Sequence, residues 1–141
     1  MKIEQARGVD DALLEAVNTL LPQLSSSVSP LTHEALRAIV ESDTARLLIA
    51  LDNGKICGML TLVVFRIPTG VRSWIEDVVV DASGRGKGTG NALLEVAFQL
   101  ARKQGAKTIN LTSNPSREAA NRLYRKAGFE QRDTNAHRKS L

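Results

Sequence analysis

Apolar residues recur at helical spacing over residues 10–21, where Leu13, Leu14, Val17, Leu20 and Leu21 share one side. Asp10 supplies an N-cap ahead of them, and Pro22 marks the expected far end. After a serine-rich loop at 25–30, Thr32 caps a second predicted helix with Leu36, Ile39 and Val40 on its inner face. The pattern then changes. Residues 45–51 and 55–67 are dense in Leu, Ile and Val, and Asp52-Asn53-Gly54 between them signals a hairpin, because Asn-Gly accepts positive φ. Pro68-Thr69-Gly70 is a second turn, and a strand follows at 73–80. Helical spacing returns over 90–104, with Leu93, Leu94, Ala97, Phe98 and Ala101 inward and Gly105 as the stop. A short strand at 107–112 and a last helix at 116–127, stopped by Gly128, come next. Weakly alternating segments at 2–7, 129–132 and 137–141 read as further strands.

The predicted order is βααβββαβαββ, in one domain spanning residues 1–141. Hairpins joined to a strand-loop-helix-strand crossover imply an α/β fold: a mixed sheet of about seven strands with four helices on its faces.

A chain of 141 residues is long enough to bury a real core. Cys57 is the only cysteine, which rules out an intrachain disulfide and a thiolate metal cluster. Its setting, Lys55-Ile56-Cys57-Gly58, reads as a strand interior and an inert thiol. No apolar run reaches the roughly 20 residues that span a bilayer, and the N-terminus has no signal core. The expectation is therefore a cytoplasmic protein with no membrane partner. The net charge of +4 suits a polyanion. Nucleic acid is disfavoured, because the cations form no long run and aromatics for base stacking are scarce. His33 and His137 have no ligand-like spacing, so no metal site is expected.

The densest chemistry lies at residues 74–94. An apolar strand with Glu76 and Asp77 near its start runs into Gly84-Arg85-Gly86-Lys87-Gly88-Thr89-Gly90-Asn91, which opens directly into a helix. Glycines let a ligand approach the backbone, and a helix start offers unpaired N–H groups and a positive dipole end. Together they make a pocket for phosphate oxygens. A dinucleotide fingerprint fails, since Asn91 or Thr89 stands where glycine is required. A Walker A loop fails at Asp81 and Gly88. What remains is R-x-x-G-x-G: Arg85, Gly88 and Gly90. Downstream, Ala120, Tyr124, Gly128 and Phe129 complete A-x-x-x-Y-x-x-x-G-F. In these two segments the chain resembles the GNAT N-acetyltransferase superfamily.

The resemblance implies an acetyl-CoA-dependent transfer to an amine. It implies that the pyrophosphate is held by Arg85, Gly86, Lys87, Gly88, Thr89, Gly90 and Asn91. It implies that two parallel strands, here 73–80 and 107–112, splay to admit the pantetheine arm against the main chain of Val78, Val79 and Val80. The Val78 N–H is then the candidate to polarise the thioester carbonyl. Glu76 is the candidate general base through a water, and strand alternation sets it on the face of Val78 and Val80. Asp77 is the runner-up, and either acid also reads as an ammonium anchor or an ion-pair partner. Tyr124 matches the tyrosine that protonates the departing sulfur; a core aromatic is the structural alternative. Arg117 stands where many members carry asparagine, so Asn114 or Asn121 is expected to take that pantetheine contact and Arg117 to reach the nucleotide phosphates.

The expected acceptor is a small-molecule primary amine, reached by direct transfer in a ternary complex. A peptide or protein amine is the second reading. A catalytically silent acyl-CoA-binding regulatory module is the third, since it needs the loop but neither Glu76 nor Tyr124. The resemblance also leaves room for a homodimer.

Overall fold

The structure is a computed structural model that describes residues 1–141. Alternating side-chain direction along β2 (Ala45–Asp52), whose residues 47–50 are all buried, generates the layering. Leu48 and Ala50 point to one side of the sheet, Leu47 and Ile49 to the other, and each pair joins a different core cluster. Such a strand is buried on both faces, which explains why it reads as a continuous apolar run.

The sheet has four antiparallel strands in the order β1 (Lys2–Gln5), β2, β3 (Lys55–Ile67) and β4 (Gly70–Val80). Asn53, with φ 51°, and Gly54, with φ 77°, make the β2–β3 turn as their types require. One face packs on α1 (Asp11–Leu24) and α2 (His33–Val40), through Leu13, Val17, Leu20, Leu21 and Leu36 against Leu47, Ile49, Met59 and Val79. The other face packs on α3 (Thr89–Lys103) and α4 (Glu118–Lys126), through Leu93, Leu94, Ala97, Ala101 and Tyr124 against Leu48, Leu60, Leu62 and Ile75. Asp10 and Thr32 cap α1 and α2 as the sequence predicts, accepting from the N–H groups of Leu13 at 2.8 Å and Ala35 at 3.1 Å.

Three expectations are corrected. Pro22 does not end α1, which runs on to Leu24; the Ser25 N–H still reaches the Leu21 carbonyl at 3.1 Å and closes the last turn. The segment 107–112 is not a full strand. It makes one parallel bridge, Asn110 to Trp74, with Ile75 N–H donating to Asn110 O at 2.9 Å and Asn110 N–H to Ser73 O at 3.0 Å. Just before it, the buried Ser73 hydroxyl takes the Thr108 carbonyl at 2.5 Å, so a side chain occupies an acceptor that a ladder would use. Residues 129–132 and 137–141 are irregular and largely exposed. From Glu130 onward the chain is almost wholly polar and offers no apolar face to bury. The order is therefore βααβββαα, with four strands where about seven were expected and the four expected helices present.

Candidate active site

The site begins with a fault in β4. Thr61 of β3 pairs with Glu76 and Met59 with Val79, so Leu60 stands opposite both Asp77 and Val78. This is a β-bulge, and Asp77 takes the left-handed φ of 51° within it. A bulge resets the two-residue period of a strand. Ile75 faces the α3/α4 core before it, Val78 and Val80 pack on that core after it, and Val79 joins the α1/α2 core. Glu76 consequently does not share a face with Val78 and Val80, as strict alternation predicted. It lies with Trp74 and Thr61 on the α1/α2 side. Glu76 and Asp77 are both exposed.

On the other edge of β4, pairing with the 107–112 segment stops at the Trp74–Asn110 bridge. Beyond it, Val78, Val79 and Val80 have no partner strand on that side. The gap opens toward the loop that follows.

That loop starts with a short helical turn at Ala82–Gly84, held by Asp81, whose carboxylate accepts from the Ser83 N–H at 3.1 Å and from the Ser83 hydroxyl. Gln23, in the last turn of α1, clamps the same place: Nε2 donates to Asp81 Oδ1 at 2.8 Å and Oε1 accepts from the Ala82 N–H at 3.0 Å. These bonds, the Gln23 amide first, lower the Asp81 pKa to about 2. Gly86 and Gly88 then turn the chain with φ of 82° and 80°. No N–H group of residues 85–91 donates within the chain, and Gly88 caps α3 with no side-chain bond. A row of free donors at a helix start fits a pyrophosphate. Arg85 lies along the loop, its Nε 3.4 Å from the Val80 carbonyl, and Lys87 is exposed.

The glycines divide the labour unequally. A Cβ at Gly86 or Gly88 would meet nothing within 4 Å, so both face open space where a ligand can approach. A Cβ at Gly90 would lie 2.8 Å from Leu123 Cδ2; this glycine admits α4 against α3. Thr89 is buried and packs toward Gly58.

Tyr124 is almost fully buried and meets Phe129 edge-on at 5.9 Å, with Phe98 beyond at 5.7 Å from Phe129. Burial raises its phenol pKa, and the nearby Arg117 charge opposes that shift. Asn114 builds the start of α4: its Oδ1 accepts from the N–H and hydroxyl of Ser116 at 2.9 and 2.8 Å. Asn121 Nδ2 donates to the Asn114 carbonyl at 3.0 Å. Their other amide atoms, Asn114 Nδ2 and Asn121 Oδ1, remain for a ligand.

Cys57 is half-buried beneath Gly84, and its carbonyl accepts the Asp81 N–H at 2.8 Å. No group of three or more His, Cys, Asp or Glu could hold a metal ion. No helix is long and apolar enough to cross a membrane. Sequence reasoning missed two features, the Asp77 bulge and the Gln23 clamp. A left-handed Asp carries no composition signal, and Gln23 is distant along the chain.

Residues 13–129 match the model of the acetyltransferase (GNAT) family. An uncharacterized N-acetyltransferase of Bacillus subtilis, YhdJ, is 37% identical over 100 residues, covering 68% of this chain and 69% of that protein. A second from the same organism, YhfO, is 30% identical over 135 residues, covering 93% and 91%. Among solved structures, an aminoglycoside acetyltransferase from an uncultured soil metagenomic sample, in complex with sisomicin, superposes with a TM-score of 0.85 at 19% identity, over 99% of this chain and 95% of that one. AAC(6')-Iy, in complex with the bisubstrate analogue CoA-S-monomethyl-acetylneamine, gives 0.80 at 19% identity, over 99% and 98%. At these identities the two structures speak for the fold.

Proposed function

This chain belongs to the acetyltransferase (GNAT) family and is an acyltransferase; from that premise we propose that it moves an acetyl group from acetyl-CoA to a primary amine of a small molecule, directly within a ternary complex. The observation that carries the donor half is the run of free N–H groups at 85–91. Arg85, Gly86, Lys87, Gly88, Thr89, Gly90 and Asn91 would take the pyrophosphate there, Gly90 and Thr89 through main-chain N–H alone. Val78, Val79 and Val80 border the gap that would admit the pantetheine arm. Arg117, Asn114 and Asn121 stand where α4 begins and would contact the pantetheine and the nucleotide phosphates from there.

Each proton has a bearer on this reading. Glu76, or a water it holds, takes the proton that the ammonium must lose before its lone pair can attack. The Val78 N–H stabilises negative charge on the acyl oxygen as the N–C bond forms. Tyr124 gives its proton to the sulfur as the C–S bond breaks. Burial suits Tyr124 to this, because a raised pKa keeps the phenol protonated at neutral pH. Cys57 lies under the loop at Gly84 and packs on the α3/α4 core, which favours direct transfer over an acyl-enzyme.

The test is calorimetry with acetyl-CoA, followed by thiol release over a panel of amines. Micromolar binding together with amine-dependent thiol release is expected. Binding without release toward any amine, free or peptide-borne, would favour the acyl-CoA-binding module instead.

A further inference from the structure

Trp74 has no role in the core. It is half-buried, and it packs on neither of the two hydrophobic clusters. Its neighbours in register show where it points. Ser73 and Ile75, at 0% and 3% exposure, occupy the α3/α4 face, so Trp74 takes the opposite one. Val63 pairs with Trp74 and Phe65 with Arg72; both are half-buried on that same face, and both are absent from the clusters. On this side of β4 only Val79 belongs to the core that α1 and α2 build. An apolar strip of Trp74, Val63 and Phe65 thus runs away from the exposed carboxylate of Glu76, which regular alternation ahead of the bulge sets on the same face.

We propose that this strip is the acceptor site, and that the acceptor is a cationic amine carrying an apolar body. The assignment rests on the acetyl-transfer reading and adds the substrate class to it. Trp74 and Glu76 are two residues apart on one strand face, about 6.5 Å along the strand. An ammonium fits between an indole face and a carboxylate at that separation. The apolar body then lies over Val63 and Phe65. An acceptor bearing a phosphonate or phosphate finds a single cation along β4, and that one is distant from Glu76. Arg72, the next side chain along this face, is about 13 Å from Glu76 by strand rise, and its Nη2 is held by Thr69 Oγ1 at 2.7 Å, toward the turn. A desolvated anion without a partner is rejected.

Trp74 is the only tryptophan, so its emission reports occupancy directly. The experiment titrates the full chain, at saturating CoA, with phenethylamine and with 2-aminoethylphosphonate, and measures acetylation of each. Phenethylamine is expected to shift the emission saturably and to be acetylated, and the phosphonate to do neither. Trp74→Ala should raise KM for phenethylamine about 5- to 30-fold, with kcat within a few-fold. Trp74→Phe, which keeps a ring and guards against misfolding of the alanine variant, should fall between. Unchanged emission with phenethylamine, an unchanged KM in Trp74→Phe and Trp74→Ala, or preference for the phosphonate would each overturn the assignment. CoA affinity, measured on the same sample by calorimetry, separates the two readings: its loss sinks the donor site, whereas the emission titration judges the amine site alone.

Discussion

Tyr124 carries two loads at once. Its ring sits in the main core against Phe129, and its hydroxyl is the proton source we assign to the leaving sulfur. The two are separable by one atom. Tyr124→Phe keeps the ring, so thermal stability should change little, while kcat should drop about 10²–10⁴-fold with acetyl-CoA affinity kept. Wild-type turnover in the folded variant would show that the sulfur leaves without this proton. The direction of the pKa shift adds a constraint. Because burial moves the phenol above its ordinary value of 10.0, no alkaline fall in rate below that pH should depend on Tyr124. Gly88 and Gly90 make a second contrast. Asparagine tolerates the left-handed backbone, so Gly88→Asn should keep the fold yet weaken acetyl-CoA binding by intruding on the loop's open side. Gly90→Val should instead overpack Leu123 and cost about 1–3 kcal/mol of stability. Urea melts beside calorimetric titrations distinguish these outcomes.

At the level of elements, what was legible in the sequence is what local chemistry decides. The caps Asp10 and Thr32, the Asn53-Gly54 turn and the apolar faces of α1 and α3 follow from neighbours a few residues apart. So does the loop, since Gly86, Gly88 and the start of α3 announce free N–H groups in one short stretch. The misses lie where distant partners decide. Strand 107–112 shrinks to one bridge because Ser73 reaches the Thr108 carbonyl, and the polar tail after Phe129 has no face to pair with. Glu76 was assigned to the wrong side because Asp77 adds a residue that no alternation rule anticipates. The clamp from Gln23 is likewise a meeting of two elements. Its test is charge. Gln23→Glu sets a second carboxylate against Asp81 and loses a donor, so acetyl-CoA affinity should fall at neutral pH and recover partly as acid protonates the new glutamate. Loss by the same factor at every pH would reduce Gln23 to packing. In the wild type, the stabilisation held in Asp81 is fully present above its ordinary pKa of 3.8 and disappears as pH falls through about 2.

For the molecule as a whole, the +4 charge bears on binding more than on folding. Of the lysines and arginines only Lys2 is in an ion pair, with Glu4 at 3.2 Å, so most cations are free to attract an anion. If the loop's shape governs, CoA should still bind at physiological salt and duplex DNA should not displace it. Pure counterion attraction would fade steeply with salt and treat the two polyanions alike. The Gln23 clamp has a temporal side as well. Its partners are 58 residues apart, whereas β2–β3 and β3–β4 close through tight turns. Contacts of long separation wait until the intervening chain is already ordered. The clamp should then form after the folding transition state, and Gln23→Ala should steepen escape from the native state while leaving the refolding rate unchanged. Stopped-flow chevrons would read this as a raised unfolding arm over an unmoved folding arm. The loop proposed to cradle the phosphates would be the last part of the molecule to set and the first to come loose, so a donor bound there would act as a brake on unfolding.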